Sequence, residues 1–430
     1  MERSPVGDRV LCMEIPIMCS DDMQSRQRDV EMLRELARRY ADVCSDPVQA
    51  TRRDLWRKKN SLIHTRPLIY MRAFAWDEMA ESRCECGDPL FRTIENQLRK
   101  KLFWASLDDD SVFEPWVDVS PVYECTGWGV ESQRRIAGDG TGSYKEVYPL
   151  GELADIEKLV LPWHGIDEPA TAVNVRMVTD AIGDILTINL DRGPFFRAFY
   201  GDISMYLGHL RGMENFMLDM FDNPQLLHGL LAYMRDGVLA THEQAETRGD
   251  WCLTSHENQA MCYADELPDP AANSPGAKRE QLWCFMAAQE YSLVSPEMHE
   301  EFLLRYQMPI MEKFGLVAYG CCEDLTRKID MLHTIRNLRR IAVSPFADLD
   351  ACADQIGTDY VISYRPSPTD MVGYGFDPER ITDILSRDLN ACVGRHVDIT
   401  LKDVETVQRD PTRARQWVCL ARQAIDSVWR

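Results

Sequence analysis

Two adjacent cysteines followed by an acid, Cys321-Cys322-Glu323, are the sharpest chemical signal in the sequence. They follow the apolar run Leu316–Tyr319, so the pair stands at the end of an expected strand. Zinc prefers thiolate, imidazole and carboxylate donors, and a catalytic zinc site needs only three from the protein. Neighbouring residues on a strand face opposite ways, so both sulfurs can hold one ion only if the chain turns there. In the competing arrangement one cysteine packs and the other lines a pocket without metal. Zinc is the expected metal, with one or both of Cys321 and Cys322 as donors and His256, Glu290 or Glu323 as partners.

Further reactive residues follow other expected strands. His256-Glu257-Asn258-Gln259 comes after Trp251–Thr254 and offers a base or ligand beside two amides. Lys402-Asp403 comes after HVDITL; a lysine there can hold a substrate carboxylate or pair with its neighbour. Tyr364-Arg365 precedes two prolines that fix a loop, so Arg365 either binds an anion or ties that loop down. Asn189 and Asp191 follow a fifth run, and Arg72 and Trp76 can line a site from the first strand. Glu290, in AAQEYSLVSPE, is either a site acid or a cap for the helix that follows.

The elements that must position these residues read as alternating strands and helices. Strand-like runs cover Asp184–Leu190, Leu316–Tyr319, Arg340–Val343, Tyr360–Ser363 and Val397–Leu401, with Leu68–Met71 an earlier short one. Helix-like segments cover Phe91–Phe103, Leu325–Ile335, Ala347–Ile356, Pro378–Leu389 and Pro411–Trp429. Such alternation implies a parallel sheet, because parallel neighbours need a long crossover. Short apolar strands without a GxGxxG turn fit a (β/α)8 TIM barrel of the α/β class better than a dinucleotide-binding sheet. Residues that follow barrel strands gather at the C-terminal mouth, which is why the residues above are grouped. An amphipathic stripe from Arg28 to Cys44 predicts one helix in an N-terminal cap spanning residues 1–60, leaving 61–430 for the barrel. Glycine-rich Gly138–Ser143 reads as a hairpin turn, since no helix opens after it to cradle a phosphate.

Composition narrows the partners. The chain has 430 residues, and 48 Lys+Arg against 69 Asp+Glu give a net charge of −21. That balance repels nucleic acid and anionic membrane, so the expected partner is a small molecule, with a homo-oligomer open. No apolar run is long enough for a membrane helix, no secretory signal is visible, and the 14 scattered cysteines fit a reduced, cytoplasmic setting.

Several segments in order resemble the uroporphyrinogen decarboxylase superfamily. These are RPLIYMRAFAW at Arg66–Trp76, LADIEKLVLP at Leu153–Pro162, and Gly193–Phe195 followed by the stretch ending in DNPQLL. SPEMHEEFLLRYQMPIMEKFG at Ser295–Gly315 and YGCCEDL at Tyr319–Leu325 complete the set. The resemblance implies the TIM barrel over residues 61–430, an acid near Glu290, and a strand-end acid at Asp118. It also implies either decarboxylation or methyl transfer from a small methylated substrate to a corrinoid carried by a partner protein. Departures are specific. The family's second arginine of the first strand is Trp76 here, which disfavours a substrate with many carboxylates. The methyltransferases' zinc-binding histidine is Tyr319, and their late cysteine is absent from Leu401-Lys402-Asp403. Methyltransferase is the leading expectation, with Glu290, His256, Asp118 and Lys402 as catalytic groups. Arg72, Trp76, Asp191, Tyr364 and Arg365 would then bind substrate. The alternatives are a carboxy-lyase on a smaller acid and a non-catalytic barrel that binds a tetrapyrrole or corrinoid.

Overall fold

Short runs of aliphatic, β-branched and aromatic residues pair as parallel strands in the computed structural model, which describes residues 20–72, 74–136 and 144–429. In chain order the strands are β1 Leu68–Met71, β2 Trp116–Val119, β3 Gln133–Ile136, β4 Tyr144–Val147 and β5 Thr187–Leu190. They continue with β6 Trp283–Met286, β7 Leu316–Tyr319, β8 Leu338–Val343, β9 Val361–Tyr364 and β10 His396–Leu401. One parallel sheet has six strands in the order β1-β10-β9-β8-β7-β6, and β2 pairs with β5 in a second parallel sheet. The fold is therefore mixed α/β. From β7 to β10 consecutive strands are neighbours, as the alternation predicts. Strands β3 and β4 form an antiparallel hairpin, while the expected turn at Gly138–Ser143 lies outside the described residues. No helix among the described residues is long and apolar enough to cross a membrane.

Register decides what each face carries. Leu68 lies opposite Asp398, Asp398 opposite Ser363, and Arg340 opposite Val361. Alternation then puts Ile69, Ile341, Ile362, Tyr364 and Ile399 on one face, inside the main hydrophobic cluster. Tyr70, Arg340, Ser363, Asp398 and Thr400 take the other face, and the same alternation carried past the strand ends adds Arg72, Arg365 and Lys402. One face of the sheet is thus apolar and packs in the main hydrophobic cluster, while the other carries most of its polar side chains.

Two seams interrupt the strand pairing, and polar side chains fill both. At the free edge of β1, Asp110 accepts from the Ile69 N–H at 2.7 Å and Asp109 from the Met71 N–H at 2.9 Å. At the free edge of β5, Asn273 accepts from the Leu190 N–H at 3.1 Å and donates to the Ile188 carbonyl at 2.9 Å. Each carboxylate or amide replaces the backbone partner a strand would have supplied.

The structure corrects four local expectations. Trp251–Thr254 is not a strand, because the Ser255 hydroxyl accepts from the Cys252 N–H at 3.2 Å and turns the chain; only an isolated Cys252–Pro275 bridge remains. Leu325–Ile335 forms a single helical turn, Ile329–Leu332, because Asp324 binds the Thr326 N–H and hydroxyl while the Tyr291 carbonyl accepts from Lys328. The N-terminal region carries two helices rather than one, Ser20–Ser45 and Val48–Asn60, separated at the Asp46-Pro47 break. Finally, β6 was not expected. Its four residues are buried on both faces, so it shows no alternation.

Candidate functional site

Beyond β7 the chain turns at Gly320, whose φ of +98° suits glycine alone. A Cβ there would sit 2.7 Å from Leu325 and 3.2 Å from Ala342. The turn brings the two cysteine sulfurs to 3.7 Å from each other. Lys402, one residue past β10, reaches across and places Nζ 3.2 Å from Cys321 Sγ and 2.9 Å from Cys322 Sγ, while also donating to Asp403. Around this core, Glu323 accepts from the Cys321 N–H at 2.8 Å, and Arg365 donates to the Cys321 carbonyl at 2.8 Å and to Gln259 Oε1 at 3.1 Å.

The electrostatics favour one thiolate. A hydrogen bond from Cys322, helped by the charges of Arg365 and Lys402, holds the Cys321 thiol well below its ordinary value although burial opposes this. The Cys322 thiol is pushed up by the same hydrogen bond and by burial. Burial works against charge on Lys402, but Cys321 and Asp403 outweigh it and its ammonium titrates higher than usual. Cys321, Cys322 and Lys402 thus form a thiolate–ammonium cluster at the C-terminal ends of β7 and β10.

This geometry does not fit zinc. Cys321, Cys322 and Asp403 surround a point that the Lys402 ammonium already fills, and Asp403 lies 3.6 Å from Cys322 Sγ. Among the described residues no group of three His, Cys, Asp or Glu side chains is arranged to hold a metal ion. Of the expected partner ligands, His256 and Glu290 are directed elsewhere, and the Glu323 oxygens accept from the Cys321 and Ala288 N–H groups.

A cavity of about 510 Å³ opens at the ends of β2 and β5, lined by Asp118, Asp191, Arg197 and Glu257 among others. Asp118 accepts from Asn189 Nδ2 at 2.7 Å, and Lys101 Nζ stands 3.7 Å away. Asp191 is held by Arg197 at 2.9 Å, the Ser255 hydroxyl at 2.6 Å and the Gly193 N–H at 3.0 Å. Burial raises the Glu257 carboxyl, with Arg197 pulling the other way. Ala198 and Phe199 line this cavity and also pack in the cluster that contains Cys321, so the two groups are neighbours. Arg72 lines an adjoining cavity of about 430 Å³ that shares Trp116 and Pro270, and its Nη1 is buried without a partner.

Four expected site residues lie apart. Tyr364 is one residue out of phase with Arg365, so it points to the helix side, where its hydroxyl bonds Asp388. Trp76 is buried, donates to Asn96 at 2.7 Å, meets Phe103 edge to face at 5.7 Å and lies tilted 6.0 Å from Trp104, as a core residue. His256 accepts from the Trp283 N–H at 3.2 Å and pins the edge of β6; burial lowers its imidazole to about 4, leaving it neutral. Glu290 fits beneath helix Ile203–Arg211, where a Cβ on Gly208 would come within 2.9 Å of it, and its charge joins burial in pushing Asp202 well up. Arg197 is the participant sequence reading missed. Its signal was its place six residues after Asp191, on the same loop, where the two can pair.

No model of a known protein family matches the chain, and no curated protein matches it.

Proposed function

We propose that the chain is a small-molecule enzyme built on an interrupted (β/α)8 barrel, as its resemblance to the uroporphyrinogen decarboxylase superfamily implies. Its reaction would be methyl transfer from a small methylated substrate to the corrinoid of a separate protein. Pairing of the first strand, β1, with the last, β10, supports closure, with the two polar seams as the interruptions. The contact that carries the enzyme reading is Lys402 Nζ at 3.2 Å from Cys321 Sγ, a desolvated ion pair at strand ends. In a packed core such a pair is costly, whereas at a mouth it supplies both charge and a proton. The corrinoid, when docked, supplies the methyl acceptor. Lys402 takes the part a Lewis acid plays elsewhere, protonating the heteroatom that loses its methyl.

The test mixes the chain with reduced cobalamin and a panel of O-methyl and N-methyl compounds, following the cobalamin absorbance. Methylation should occur with at least one compound and slow by about 10² or more in Lys402→Met, the usual scale for a lost general acid. The second reading, a carboxy-lyase, is favoured by the buried, unpartnered Nη1 of Arg72, which suits a substrate carboxylate. Carbon dioxide release without methyl transfer would put it in place of the first.

A further inference from the structure

The cavity beside β2 and β5 has walls that the thiolate–ammonium chemistry does not use. Five aromatic rings face it, from Trp116, Tyr123, Phe195, Phe199 and Tyr200. Tyr123 meets Phe195 edge to face at 5.6 Å, and Phe195 lies 4.5 Å from Tyr200, so these three make a continuous wall. The charged lining is three carboxylates, Asp118, Asp191 and Glu257, against the guanidinium of Arg197, with Lys101 Nζ 3.7 Å from Asp118 just behind the wall, so carboxylates still outnumber cations.

Arg197 is not free to receive an anion. It lies 2.9 Å from Asp191 and 3.8 Å from Glu257, so its charge is spent within the wall. An entering anion would meet excess negative charge, and the chain's net −21 adds to the repulsion. A cation meets the reverse. The kind of cation follows from the hydrogen bonds. A primary ammonium has three N–H groups to satisfy, but one oxygen of Asp118 is engaged by Asn189, and Asp191 by Arg197, Ser255 and Gly193. A fully methylated ammonium has no N–H to place, and its diffuse charge suits aromatic faces. The volume of about 510 Å³ is ample for such a head with a short tail.

We propose that this cavity binds a small methylated ammonium compound, its methyl groups against the Tyr123–Phe195–Tyr200 wall and its charge offset by Asp118 and Glu257. The inference rests on the methyl-transfer reading only in making this compound the methyl donor; a quaternary nitrogen keeps the bonding pair and leaves as a neutral amine, so with this donor Lys402 transfers no proton in the methyl-transfer step, and binding stands without turnover.

Calorimetry with choline and its uncharged carbon isostere, 3,3-dimethyl-1-butanol, tests it on the unaltered protein. Choline should bind about tenfold or more tightly than the isostere, the scale of a desolvated cation–π contact. Tyr123→Ala should remove about tenfold of the choline affinity, and Glu257→Gln should weaken choline and reduce its salt dependence, with thermal melts confirming that both variants fold. Equal affinity for the two ligands, or no choline binding at tens of millimolar, would overturn the proposal, whatever the variants do. Methyl transfer from an O-methyl compound without choline binding would sink this inference and spare the enzyme reading. Choline binding without transfer to cobalamin would do the opposite.

Discussion

At the level of single residues, the strand-end rule located Cys321, Arg365 and Lys402, because chain direction alone tells which end of a parallel strand is the mouth. Phase was harder. In VISYR the alternation could start on either foot, and neighbouring strands settled it by burying Tyr364 against its helix. Charge state was not legible at all, since it depends on Lys402 reaching Cys321 across 81 positions of chain. The reactivity of Cys321 reports that charge directly. An ordinary thiol titrates near about 8.5, so methyl methanethiosulfonate should modify Cys321 at pH 6 at close to its plateau rate. Lys402→Met should cut the pH 6 rate by about tenfold for each unit the thiol moves back up. A wild-type midpoint near that of a free thiol, read residue by residue by mass spectrometry, would disprove the thiolate.

At the level of elements, the strands after residue 316 were readable because local alternation and crossover length specify them together. The seams were not, since they join side chain to backbone between segments distant in sequence. Asp110 shows what such a join is worth. Besides the Ile69 N–H, it receives Arg66 at 2.8 Å and Arg422 at 2.9 Å, and these two guanidiniums outweigh burial to lower its carboxyl to about 2. A carboxyl lowered by folding stabilises the fold above its unfolded value of 3.8, and that contribution disappears as pH falls through about 2. Asp110→Asn should therefore cost about 3 kcal/mol in urea unfolding at pH 7, the usual scale for breaking a buried pair. The difference from the parent should shrink between pH 4 and pH 2. A constant difference across that range would assign the loss to packing instead.

For the whole molecule, the N-terminal helices share the interior of the strands. Trp56, Lys59 and Asn60 are fully buried, and Asn60 donates to the Met261 and Tyr263 carbonyls at 2.9 and 2.8 Å. The amphipathic stripe announced the first helix, but nothing local marked Lys59, a charged residue that tertiary packing carries into the core. Its ammonium lies 5.4 Å from the Trp56 ring and has no hydrogen-bond partner. Burial lowers it to about 7, against the pull of Asp398 and Asp110 and with the push of Arg340 and Arg66. An amine lowered by folding binds fewer protons folded than unfolded between about 7 and 10.5, so stability should climb with pH across that window. The slope is at most about 1.4 kcal/mol per pH unit. Lys59→Met keeps the length of the side chain and removes the charge. It should be more stable than the parent at pH 7, and its advantage should fade by pH 10 as the unfolded parent chain loses the proton that favoured it. Paired denaturant melts at pH 7, 8.5 and 10 measure that convergence. A variant that is less stable than the parent at pH 7 would mean that Lys59 holds the cap in place by its charge, the reverse of what its unpartnered burial implies.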